Sequence, residues 1–319
     1  MKDIKIAAMF PGQSSQHVGM LSELSKCFKL IKETFFEVSE FLGYDLWKLT
    51  QYGPIDKLNR TDYAQPIILT ASVALWRVWN QELGQQPNII AGHSLGEYSA
   101  LVCSSSIDLL SAAKLVQIRG MLMQEAAPNG YGSMSVIIGL SKNIIIELCK
   151  IVECTLNQIV SPACFNAVDN IVIAGHKEAV NQVNMLCKKA GAKYVSILPI
   201  SVPSHCYLMK SMSNKFQKEL LKIMIYHPMI PIINNTDVCI EVTPEAIRKA
   251  LVRQLYTPVR WYDIIQKFIH EKIDFFLEIG PGKVLTRLLN STISNTVSIS
   301  INNPSSLLKA IEFIKNNID

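Results

Sequence analysis

A chain of 319 residues, 49% hydrophobic and 18% charged, is long enough for one large α/β domain or two domains, with ample apolar content for a packed core. The net charge of +5 suits an acidic or phosphorylated partner, but basic and aromatic residues do not interleave, which excludes a nucleic-acid footprint. The longest uncharged stretch near the amino end, from Tyr63 to Trp76, falls short of the ~18 residues a membrane span needs.

Residues 4–10 read as a buried strand rather than a targeting segment, because they run directly into Pro11-Gly12. Residues 11–15 are a loop into a helix, and residues 64–80 an apolar helix. A short strand at 87–91 leads into the turn Gly92-His93-Ser94-Leu95-Gly96, and the chain is helical from Glu97. A second helix spans 109–126 and carries Arg119. The texture changes around Pro128-Asn129-Gly130-Tyr131-Gly132. From there the pattern is strand (133–139), helix (142–149), strand (158–166), strand (170–175), helix (178–190) and strand (193–199). That βαββαβ order is ferredoxin-like. The reading is therefore an α/β-hydrolase-like large subdomain with a parallel sheet, residues 1–127 and 201–319, and an inserted ferredoxin-like small subdomain, residues 128–200. The tail, 302–319, ends in a helix.

Eight cysteines without a CxxC pair read as small buried hydrophobes or idle thiols of a cytoplasmic chain. Six histidines without HxxxH or HExxH spacing give no metal site. The densest basic group, Lys188, Lys189 and Lys193, reads equally as a solvated helix face or a docking patch.

The chemistry concentrates at Ser94. A serine hydroxyl is a weak nucleophile until it is placed for attack and loses its proton as it attacks. In GxSxG the glycines permit a sharp strand-to-helix turn that projects the hydroxyl, and the following helix aims its first N–H groups at the same spot. The base of choice is His205, in Ser201-Val202-Pro203-Ser204-His205-Cys206. It follows a predicted strand, on a loop whose proline fixes its direction. His93 adjoins the serine, but neighbouring side chains at such a turn diverge. No acid completes a triad: Asp108, Glu125, Glu147, Glu153, Asp169 and Glu178 all lie between Ser94 and His205, and none has an obvious claim. A backbone or amide carbonyl is the alternative.

Several segments together resemble the malonyl-CoA:acyl carrier protein transacylases of fatty acid synthesis. They are Phe10-Pro11-Gly12-Gln13, Gly92 to Ala100, Arg119-Gly120 with Met123-Gln124, and Ala174-Gly175-His176. Pro203-Ser204-His205, Leu251 to Leu255 and Glu278-Ile279-Gly280-Pro281-Gly282 complete the set, in the family's order over nearly the whole chain.

The resemblance implies that Ser94 is acylated and that His205 is general base and then acid. It implies that the Gln254 main-chain carbonyl orients His205, and that the Gln13 and Leu95 N–H groups form the oxyanion hole. Arg119 would pair with the free carboxylate of malonyl, which a planar guanidinium holds with two parallel hydrogen bonds. Asn166, Met123 and His93 would complete the substrate-binding wall. Malonyl-CoA and acyl carrier protein are the implied partners of a monomeric enzyme with no cofactor, no metal, no nucleic acid and no membrane. The rival readings are a hydrolase of the same fold, a polyketide-pathway acyltransferase and a non-catalytic carrier-binding module. One departure stands out: Ser14 occupies a place where the family usually has glycine. The Gly280-Pro281-Gly282 loop reads as a packing turn, since no GxxxxGK[ST] is present.

Overall fold

In β1 (Ile6–Phe10) the side chains alternate between two cores: Ile6, Ala8 and Phe10 enter one, Ala7 and Met9 the other. A strand with a two-residue period and both faces covered belongs in the middle of a layered α/β sheet. The computed structural model describes residues 4–318 apart from 84, 129, 201 and 295. Asn129 in the change of texture, Ser201 ahead of the histidine loop, Met1 to Asp3 and Asp319 therefore lie outside the described residues.

Where one helix was expected after the first loop, four follow β1: α1 (Ser22–Cys27), α2 (Lys29–Leu42), α3 (Leu46–Tyr52) and α4 (Ile55–Asn59). The apolar helix α5 (Thr61–Glu82) is buried along most of its length. Then come β2 (Ile89–Gly92), α6 (Gly96–Cys103) and α7 (Leu109–Ala126). Asp108, one of the acids weighed for a triad, accepts a hydrogen bond from Ser111 N as the N-cap of α7.

The next elements are β3 (Gly132–Ile138), α8 (Lys142–Leu156), β4 (Val160–Ala167), β5 (Asn170–His176), α9 (Lys177–Lys189) and β6 (Tyr194–Ile197). Their antiparallel sheet has the order β4-β5-β3-β6 of a ferredoxin-like unit. Helix α8 continues past its expected end at 149, because Val152 carries on the buried stripe of Ile145 and Cys149. Lys188 and Lys189 are exposed in the last turn of α9, where cations complement the helix dipole.

The chain closes with α10 (Ser213–Leu221), β7 (Ile232–Ile233), α11 (Pro244–Gln254), α12 (Trp261–His270) and β8 (Phe275–Ile279). It ends in α13 (Val284–Thr292), β9 (Val297–Ile301) and α14 (Pro304–Ile318). The larger sheet is wholly parallel in the order β7-β2-β1-β8-β9. Two ties bind the smaller sheet to the loop between α11 and α12: Phe165 N donates to Val259 O at 2.8 Å, and Val259 N to Ala163 O at 2.9 Å. No helix among the described residues is long and apolar enough to cross a membrane.

Candidate active site

In a parallel sheet the loops at the carboxyl ends of adjacent strands converge on one crevice. Here β1 delivers Pro11 to Ser15, β2 delivers Ser94, and β7 delivers Asn234 and Asn235. The turn Gly280 to Gly282 follows β8. The turn's Gly282 carbonyl accepts from Ser300 Oγ and Asn302 Nδ2, so side chains at the end of β9 tie it down as a packing turn. Both carboxylate oxygens of the buried Glu278 accept from Leu285 and Thr286 N–H groups. That holds the start of α13 against the crevice.

The turn at Ser94 is possible only because its flanks lack side chains. A Cβ on Gly92 would stand 1.8 Å from the Gly96 carbonyl carbon, and one on Gly96 would stand 2.0 Å from Phe10 O. Ser94 itself has a φ of 52°, in the left-handed region that L-residues rarely occupy. Asn235 spans the turn: its Oδ1 accepts from Ser94 N and its Nδ2 donates to Gly92 O, both at 2.6 Å.

Ser94 Oγ lies 2.6 Å from His205 Nε2, and His205 Nδ1 lies 2.7 Å from Gln254 O. A carbonyl can only accept, so in the neutral ring Nδ1 holds the proton and Nε2 presents its lone pair to the serine. Burial, reinforced by the charge of Arg119, lowers the His205 pKa to about 3. The imidazole is thus neutral and free to take a proton as an oxygen attacks. Among the described residues no protein acceptor meets the backbone N–H of Gln13 or of Leu95. Gln13 Nε2 is tied instead to Thr61 Oγ1.

Arg119 is 2% exposed. Its Nη1 donates to Gln65 Oε1 at 2.8 Å and its Nη2 to Gln254 Oε1 at 3.1 Å, while Nε has no partner among the described residues. The guanidinium stands over the Tyr98 ring. It is therefore no surface ion pair: among the described residues no carboxylate oxygen lies within 4.0 Å of it.

A cavity of about 260 Å³ joins these groups, with Gln13, Ser94, Leu95, Arg119, Asn166 and His205 in its wall. Met134, Val136 and Val172 of the smaller sheet and Leu285 and Leu288 of α13 make the rest largely apolar. His93 also lines it, with its ring turned to Asn166 (Nε2 to Oδ1, 2.9 Å) rather than to Ser94. Met123 does not line it; it is buried behind Arg119, where its sulfur accepts from Gln65 Nε2. Ser14 has a φ of 81°, a conformation natural to glycine.

Sequence reasoning passed over Gln65, Glu97 and Asn235. Gln65 was detectable as a polar interruption of an apolar helix, and Asn235 as an amide at the end of a short strand. Outside the cavity, Asp237, Cys239 and Glu241 bring ligand atoms within 4.8 Å of one another. They are engaged with Arg253, Asn234 and each other. All eight cysteines are free thiols.

The acyl transferase domain family matches residues 9–308. The chain is 49% identical to the malonyl CoA-acyl carrier protein transacylase of Escherichia coli K12, over 97% of this chain and 99% of that protein. It is 36% identical to the Bacillus subtilis protein of that name, over 99% of each. The solved malonyl CoA-acyl carrier protein transacylase of Coxiella burnetii superposes with a TM-score of 0.95 at 41% identity, over 97% of both chains. A malonyl-transacylase solved in complex with its type II PKS acyl-carrier protein gives 0.95 at 49% identity, over 97% of this chain and 99% of that one. The chain belongs to the acyl transferase domain family, among the malonyl CoA-acyl carrier protein transacylases.

Proposed function

We propose that this protein moves a malonyl group from malonyl-CoA to the phosphopantetheine thiol of acyl carrier protein through an ester on Ser94. The observation that carries the reading is the meeting, in one cavity, of the Ser94–His205 pair with a buried guanidinium that has no carboxylate partner. A buried cation that no carboxylate among the described residues touches is costly to keep, so a site that holds one open is built for an anionic substrate. A hydrolase of uncharged acyl groups gains nothing from it.

Ser94 Oγ attacks the thioester carbonyl while its proton passes to His205 Nε2. The Gln13 and Leu95 N–H groups receive the developing oxyanion. The C–S bond then breaks, and His205 returns the proton to the departing CoA sulfur. The carrier's thiol repeats the sequence in reverse roles, releasing Ser94. Gln254 O keeps the imidazole in the required tautomer throughout, as a carboxylate does in a hydrolase triad. Asn166 and His93 close the wall at the acyl group, and the reaction as written draws on no cofactor. Residues 1–127 with 201–319 supply the chemistry, residues 128–200 the facing wall, and the work is cytoplasmic.

Intact-mass measurement tests this. Malonyl-CoA should add one malonyl group to the protein, and pantetheinylated carrier protein should remove it and gain it. Free malonate with an unloaded carrier would mean hydrolysis.

A further inference from the structure

Glu97 is 4% exposed, directly after the Ser94 turn, and the reaction above gives it no part. Its Oε2 accepts from Gln254 Nε2 at 2.8 Å and from Asn235 N at 3.0 Å. Gln254 Nε2 also donates to Ser94 O at 3.0 Å, which leaves Gln254 Oε1 for Arg119 Nη2 at 3.1 Å. One amide thus stands between a buried carboxylate and a buried guanidinium. We propose that Glu97 is a positioning residue for malonyl selection, fixing the direction of the Gln254 amide so that its oxygen holds Arg119 while no carboxylate of the protein occupies that arginine. The inference rests on reading Arg119 as the partner of the malonyl carboxylate.

The chemistry of the two ends sets the amide's direction. A carboxylate oxygen accepts and a guanidinium only donates. Turning the Gln254 amide over would set oxygen against oxygen at Glu97 and N–H against N–H at Arg119, leaving buried polar groups unpaired at both ends. Burial raises the Glu97 carboxyl to about 7, against the hydrogen bond from Gln254. Both donors converge on Oε2, so that oxygen remains an acceptor whether or not the group carries a proton.

The amide spacer also explains why Arg119 stays receptive. A carboxylate in direct contact would compete with the substrate's own. At one amide's remove, Glu97 offsets the buried positive charge and leaves the guanidinium open to a second anion.

The experiment compares Ser94 loading by malonyl-CoA and acetyl-CoA. Glu97→Gln keeps the shape and an acceptor oxygen but exchanges a charge-assisted hydrogen bond for a weaker neutral one and removes the charge that offsets Arg119, which loosens the hold on the Gln254 amide. Malonyl kcat/KM should fall roughly ten- to a hundredfold, carried by KM, while acetyl loading changes by less than about threefold. Gln254→Met keeps the main-chain carbonyl that His205 uses and removes the amide. It also removes the Nε2 bond to Ser94 O, so both acyl groups lose rate, malonyl by roughly ten- to a hundredfold more than acetyl, and adding Glu97→Gln to it should cost less than about threefold more. Equal losses on both acyl groups, full additivity, or unchanged selectivity in Gln254→Met overturns the proposal, the last even if Glu97→Gln does not fold. Arg119→Ala in parallel separates the two readings. If it is malonyl-selective and the Glu97 and Gln254 variants are not, only this inference fails; if it is unselective, the reading of Arg119 fails with it.

Discussion

Ser94 and His205 meet at 2.6 Å from backbones that are both left-handed, with φ values of 52° and 61°. Neither conformation is comfortable for a residue with a Cβ, and each persists because its surroundings hold it. Asn235 grips the Ser94 turn on both sides, and the His205 N–H is tied to Leu255 O at 3.1 Å. The pair is held ready before any substrate arrives.

Asn235→Ala removes that grip. Two buried hydrogen bonds are lost, so unfolding should become easier by about 1–3 kcal/mol. Ser94 acylation should slow by more than tenfold as the hydroxyl wanders. Thermal unfolding and single-turnover loading check the two effects, and a stable variant with an unchanged rate would contradict the clamp.

Arg119→Ala should separate substrates by charge. Truncating one partner of a buried charged pair costs about 2–5 kcal/mol, roughly 30- to 4,000-fold, for malonyl loading. Acetyl loading, which makes no such pair, should hold within a few fold. Steady-state kcat/KM for each thioester is the measurement.

The His205 pKa sits at about 3, below the ordinary histidine value of 6.5. The neutral form is the active one, so acylation should persist as pH falls through 6.5. The kcat/KM profile should stay flat from about pH 8 to 5.5 as far as this group governs it. An acid limb centred near 6.5 would contradict it. The linkage has a fixed sign: below pH 6.5 the unfolded chain binds a proton that folded His205 refuses, so this group's contribution to stability declines toward acid.

Gly96→Ala should be among the most damaging single changes in the protein. Its added methyl carbon would meet Phe10 O, a backbone atom of the central strand that cannot turn aside. A loss of at least about 1–3 kcal/mol is expected from overpacking. A melting temperature equal to that of the parent would show that the turn has slack.

Ser14→Gly tests the first loop in the opposite direction. The φ of 81° strains a serine but suits glycine, so the change should stabilise by up to about 1 kcal/mol, net of glycine's greater freedom in the unfolded chain. Ser14→Val should destabilise. Denaturant midpoints of the two variants rank the strain.

The sequence by itself determined what short-range pattern can encode. The strand–turn–helix around Ser94, the βαββαβ order of residues 133–199 and the helix bearing Arg119 were legible, because each is a run of alternating or helical periodicity closed by glycine, proline or a capping residue. The loop context singled out His205 as the base, and the family resemblance extended this to Gln254. Residues 16–63 were legible only as a helix following the first loop, since α1, α3 and α4 have too few turns for a period to emerge. The fourteen-residue α2, with Ile31, Thr34, Phe35 and Val38 buried on one stripe, carried a period that was passed over. Only the tertiary structure decided that Gln65, Glu97, Arg119, Asn235 and Gln254 form one buried network. They come from α5, α6, α7, the end of β7 and α11, and no periodicity records which loops a parallel sheet will bring together. Burial made the difference in kind. It turned Arg119 from a residue that spacing alone would leave on the surface into a sequestered cation, and it holds the His205 ring neutral beside Ser94.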